Sequence, residues 1–107
     1  MEIIFQAHHA VISAHMRQRA ERAVHRIAKR LHTEPTEAIV RFERDSGDCR
    51  VELQLNAPRH RPFVAEGRGR FYGPALAVAA ARLEKQLPTK DTPKTRTRER
   101  ARMIGRA

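Results

Sequence analysis

The sequence predicts an α+β sandwich: a four-stranded sheet with two helices on one face, in the order β-α-β-β-β-α. Three observations carry that expectation. Residues 13–31 and 74–87 repeat their apolar side chains every three or four positions, as amphipathic helices do. Residues 38–44 and 49–56 alternate apolar and polar around a turn sequence, as a hairpin does. Each helical stretch has a single apolar side, so each has one layer to bury against, and a shared sheet face satisfies both.

Taken in order, Glu2–Ala7 is short, rich in Ile and Phe, and ends at polar His8–His9, which suits a first strand. Ser13 stands where a helix N-cap should, its hydroxyl placed to accept from a free backbone N–H. Beyond it Met16, Ala20, Ala23, Val24, Ile27 and Leu31 share one side of a helix expected to close near Leu31–His32. The other flank carries His15, Arg19, Arg22, Arg26, Lys29 and Arg30, with Glu21 the only acid. Thr33-Glu-Pro-Thr36 ends the helix, because Pro35 pushes Glu34 toward extended backbone. As a crossover between strands this helix is expected to be right-handed and to set strand one parallel to a neighbour.

In the next run Ala38, Val40 and Phe42 face one way, and Ile39, Arg41 and Glu43 the other. Asp45-Ser-Gly-Asp48 turns the chain, and Val51, Leu53 and Leu55 then point inward with Arg50, Glu52 and Gln54 outward. The outward set is mixed in charge and is expected to face water. After Ala57-Pro-Arg-His60, Pro62–Gly67 reads as a fourth strand with Phe63 and Ala65 inward. Gly67, Gly69 and Gly73 predict a flexible or tightly turned link, and Pro74 the first position of the second helix. There Leu76, Ala80, Leu83 and Leu87 form the apolar stripe, with Ala79 beside it, while Arg82 and Lys85 point elsewhere.

This divides the chain into one α+β domain, residues 1–88, and a basic segment, 89–107, expected to be a disordered tail. The tail holds Lys90, Lys94, Arg96, Arg98, Arg100, Arg102 and Arg106 against Asp91 and Glu99, half of the chain's net charge of +10. So large an imbalance in 107 residues speaks of partners, with nucleic acid first and an anionic membrane surface second. No apolar run approaches the ~20 residues of a membrane span, and MEIIFQAHH has none of the features of a signal peptide. Cys49 is the only cysteine, which excludes an intrachain disulfide and a cysteine zinc cluster. A cytoplasmic protein is expected.

Chemistry of its own is not expected. His15, His25 and His32 lie ten and seven apart, not the three or four that brings two metal ligands together on a helix. Catalytic motifs of the H-E-x-x-H, C-x-x-C and G-x-S-x-G kinds are missing, as is a phosphate-binding glycine loop with its lysine. The chain is therefore read as a non-enzyme without cofactor. Tyr72, at the start of an apolar stripe, reads as core in preference to a base-stacking platform.

The chain resembles the ribosome hibernation promoting factor and ribosome-associated inhibitor family in its short form. The matching residues are Ala10-Val-Ile-Ser-Ala-His-Met-Arg17, the Arg/Lys pattern through Arg30, and Ala38-Ile-Val-Arg-Phe-Glu43. Later come Ala65-Glu-Gly67, Phe71-Tyr72, and Leu83-Glu-Lys-Gln-Leu87 followed by Lys90. The family carries an acid just before the aromatic pair and another early in the second helix; here Arg70 stands first, and no acid comes until Glu84.

The resemblance implies a fold akin to double-stranded-RNA-binding domains with one more strand. It also implies binding to the small ribosomal subunit and its rRNA in the channel of mRNA and tRNA, silencing translation in stress or stationary phase. A ribosome modulation factor is a further partner it brings in, and a monomer off the ribosome is expected. Long members add a dimerisation domain, which a chain of 107 residues is expected to lack. On this reading Arg19, Arg22, Arg26, Lys29, Arg30, Arg82, Lys85 and Lys90 contact RNA. The alternatives are a generic RNA- or DNA-binding module driven by the basic helix and tail, and a small RNA-directed enzyme.

Overall fold

The computed structural model describes residues 1–88; the basic segment 89–107, and Lys90 with it, lies outside the described residues. The elements are β1 (Glu2–His8), α1 (Ala14–Ala28), β2 (Glu37–Asp45), β3 (Asp48–Asn56), β4 (Phe63–Gly69) and α2 (Tyr72–Gln86). The strands lie side by side in sequence order. β1 pairs parallel to β2, as a helical crossover requires, and the other pairs are antiparallel.

Each element forms for a local reason. Ser13 accepts the N–H of Met16 at 3.1 Å, which caps α1 as its position predicts. Ser46 and Gly47 join β2 to β3 with φ of 53° and 87°, both left-handed, the turn whose twist matches a two-residue hairpin. Alternation then decides the faces. Ala38, Val40 and Phe42 of β2, Val51, Leu53 and Leu55 of β3 and Ala65 of β4 are buried beneath Ala20, Val24 and Ile27 of α1 and Leu76, Ala79, Ala80 and Leu83 of α2. Tyr72 joins this core. Its ring meets Phe42 edge-on, centroids 5.6 Å apart, and burial pushes its phenol pKa up.

Three boundaries differ from the sequence expectation. α1 ends at Ala28, a turn before Leu31, and the chain tightens: Arg30 N–H donates to Ile27 O and Leu31 N–H to Ala28 O. Leu31 is nevertheless buried, so its apolar periodicity outlasts the helix itself. Gly67 and Gly69 are not a link but the last residues of β4. A Cβ on Gly67 would strike the backbone of Ala75 and Ala79, so the glycine is where α2 lies directly on the strand. Pro74 stands at the third helical residue and not the first, in the opening turn where its missing N–H costs no helical bond.

The sheet's second face is open and polar. Arg50 Nη1 sits 2.6 Å from Glu43 Oε1 and Arg50 Nε 2.9 Å from Glu66 Oε1, while Arg41 Nη1 lies 3.4 Å from Glu52 and Arg41 Nε 2.7 Å from Gln6. The arginines of this face are spent on its own carboxylates.

Candidate nucleic-acid interface

The two helices lie beside one another on the sheet, and a groove of about 390 Å³ runs between them. Its α1 wall is Arg19, Arg22 and Arg26, with Ala23 below; its α2 wall is Leu76, Ala77, Ala80 and Ala81, with Glu84 at one end. The spacing explains the row: residues three and four apart share a helix face, so the three arginines leave α1 in line, with successive Cβ atoms about 5–6 Å apart. The alanines explain the groove, because side chains that stop at Cβ leave room between the helix axes. Gly73, at the start of α2, lies close to the same row, since a Cβ there would stand 3.0 Å from Arg19 Nη1.

Among the described residues none of Arg19, Arg22 and Arg26 pairs with a carboxylate, and all three are exposed. Arg30 is different. Its Nη1 lies 3.5 Å from Glu84 Oε2, and together with Lys85 it borders a neighbouring hollow beyond the end of the groove. Arginine suits such a row: the planar fork presents five donors that match phosphate oxygens, and it keeps its charge at any physiological pH. Three such groups in line can engage successive phosphates of a backbone while leaving base edges unread.

The sequence-predicted site residues are thus sorted. Arg19, Arg22 and Arg26 converge on the groove, with Arg30 and Lys85 at its exit. Lys29 points to another flank, lining a hollow with Met1, His25 and Glu34. Arg82 is turned to the edge of the sheet, where its Nη1 donates to the Glu66 carbonyl at 3.0 Å. That contact draws it away from the groove, and periodicity alone could not show it. Sequence reasoning also passed over Ala77 and Ala81, whose smallness leaves the groove open; the signal was the run of alanines in the second helix.

Among the described residues no helix is long and apolar enough to cross a membrane, and no three His, Cys, Asp or Glu side chains gather as metal ligands. None of the curated proteins compared matches the chain. Two solved structures share its fold. One is a ribosomal subunit interface protein from Coxiella burnetii, 19% identical, with a TM-score of 0.71 over 81% of this chain and 93% of that one. The other is the N-terminal domain of Protein Y from Thermus thermophilus, 23% identical, with a TM-score of 0.70 over 80% and 94%. At these identities the likeness establishes the architecture. A family model reaches further, matching residues 3–92 from the first strand past the second helix. The chain therefore belongs to the Sigma 54 modulation protein / S30EA ribosomal protein family.

Proposed function

We propose that this protein is a ribosome-associated translation inhibitor of the hibernation type, seated on small-subunit rRNA in the channel that mRNA and tRNA would use. The observation that carries the reading is the unpaired row Arg19, Arg22 and Arg26 along the groove between the helices. The opposite face of the sheet neutralises its own arginines, so the helix layer is the side a polyanion meets first. The family membership and the subunit-interface protein of the same fold agree with it.

Mechanism on this reading is occupation, not chemistry. Each phosphate neutralised by the row releases counterions, and affinity falls with added salt by a log–log slope of roughly 0.7 to 0.9 per contact. Selectivity comes from the shape of folded RNA against a rigid two-helix ridge. Binding in the decoding channel excludes mRNA and tRNA by volume alone. Stress or stationary phase is the setting in which such silencing serves a cell. Sucrose-gradient sedimentation of a stationary-phase lysate tests the reading. Comigration with small subunits or whole ribosomes supports it, and a diffuse spread across the gradient favours a generic nucleic-acid-binding module instead.

A further inference from the structure

The sheet has two edges, and the chain treats them unequally. α2 covers the outward groups of β4: Gln86 Oε1 accepts from the Val64 N–H at 3.2 Å, Gln86 Nε2 donates to the Val64 carbonyl, and Arg82 donates to the Glu66 carbonyl. On β1 the Glu2 N–H donates inward, to Thr36 O on the β2 side at 3.1 Å. Strand alternation then turns the N–H and C=O of Ile3, Phe5 and Ala7 outward. Among the described residues no hydrogen bond reaches them. The strand also lacks the lysine, proline or bulge that commonly blunts an edge, and its sequence, EIIFQAH, favours pairing.

That edge is complementary to itself. Turned antiparallel to a second copy about Phe5, it sets Phe5 against Phe5, and Ile3 against Ala7 of the second copy. These are hydrogen-bonded pairs, in which the two residues exchange both N–H···O bonds, and this register alone uses every outward group on both copies. The side chains agree with it. Glu2 comes opposite His8 of the second copy, a carboxylate facing an imidazole, and a two-fold axis makes that pair twice. The helices agree as well. An axis through an antiparallel edge stands perpendicular to the sheet, so both helix layers keep to one side and α1 lies next to its copy. The arginine row faces α2, away from this edge. The flank of α1 over β1 is the one where His25 and Ala28 share a hollow with Met1; Glu21, the only acid of the helix, and Arg17 continue it at four-residue spacings.

We propose that the β1 edge is a homodimer interface, at which two copies of the chain join their sheets into one continuous antiparallel pair. The monomer expected from the sequence is then the dilute form. The dimer carries both arginine rows on one face of a single body. A net charge of +10 on each copy opposes association, and salt screens that repulsion, so the dimer strengthens with added salt where binding to RNA weakens. The contact uses no residue of the groove, so it stands or falls apart from the RNA reading.

Sedimentation equilibrium of the full chain, from ~10 μM to ~1 mM near physiological salt, reads the dimer directly. The mass should rise from one chain toward two, and at lower concentration as salt is added. Ala7→Pro removes only an outward N–H from an exposed residue near the end of the strand, and it should raise the concentration of half-association about tenfold or more. Unchanged β2 and β3 amide exchange reports an intact domain. Register has its own readout. Ile4 and Gln6 of two copies form a non-hydrogen-bonded pair, Cα atoms about 4.5 Å apart and within disulfide range, whereas like residues lie diagonally at about 7–8 Å. An oxidised mixture of Ile4→Cys and Gln6→Cys chains should therefore link several-fold more than either variant alone, and buried Cys49 does not compete. A mass of one chain throughout overturns the proposal. So does equal linkage in the three samples, which means random encounter, or native-like association of Ala7→Pro, which moves the contact off β1. Ile3, Phe5 and Ala7 amides protected equally at every concentration would place the chain's own basic segment on the edge, and overturn it too.

Discussion

Arg30 Nη1 stands 3.5 Å from Glu84 Oε2, an ion pair that ties the exit of α1 to α2 and sets a carboxylate at the end of an otherwise cationic groove. The Arg30 side chain is 50% exposed, so the pair adds little to stability, within about 0–1 kcal/mol. Its electrostatic consequence is larger than its structural one, because Glu84 repels whatever phosphate approaches Arg26. Glu84→Gln should leave the denaturation midpoint nearly unchanged. Binding to purified small subunits should tighten by roughly two- to fivefold, which corresponds to less than about 1 kcal/mol of relieved repulsion. Weaker binding would make Glu84 a positioning group for Arg30 instead.

Gly67 tests how the second helix is held. The Cβ of Gly67→Ala would enter the backbone of α2 at Ala75 and Ala79, which cannot move aside as a flexible side chain could. The expected cost is of the overpacking kind, about 1–3 kcal/mol or more, measured by urea denaturation. Gly47→Ala is a useful contrast. It has open space around its Cβ but a φ of 87°, and it should cost about 1 kcal/mol through backbone strain alone.

Stability should also respond to acid through the open face of the sheet. Hydrogen bonds from Arg50 hold the Glu66 carboxylate below its ordinary value of 4.5, against the opposing effect of burial. A depressed folded pKa means that its stabilisation is present in full above the ordinary value and is lost as pH falls through the lowered one. Glu66→Gln should therefore be less stable than the native chain at pH 7, and the gap should close in acid, once pH has fallen below the lowered folded value. Urea midpoints of both proteins at pH 7 and in acid check this. A gap that is constant with pH would assign the loss to packing.

Much of this architecture is legible because its signals are local. The Ser13 cap, the alternation from Ala38 to Leu55 and the Ser46-Gly47 turn each depend on a few adjacent residues, and each stands where the sequence puts it. The misreadings arise where a distant element decides. Gly67 and Gly69 look like a link until α2 arrives over them, although the inward rhythm of Phe63 and Ala65 continues through both. Arg82 looks like a ridge residue until the Glu66 carbonyl on a strand edge claims it. The groove was half legible. The spacing of Arg19, Arg22 and Arg26 put them on one face, but only the neighbouring helix could show that Ala77 and Ala81 face them.

The most direct test of the account is equilibrium binding of the native chain and of Arg22→Glu/Arg26→Glu to purified small ribosomal subunits across a salt series. Both side chains are exposed and unpaired among the described residues, so the variant should keep its circular dichroism spectrum and denaturation midpoint. The account predicts that the variant's affinity collapses, and that the log–log salt slope of whatever binding remains is shallower by about 1.4 to 1.8, the share of two phosphate contacts. Native-like affinity and slope in a folded variant would contradict it, and would move RNA recognition off the groove between the helices.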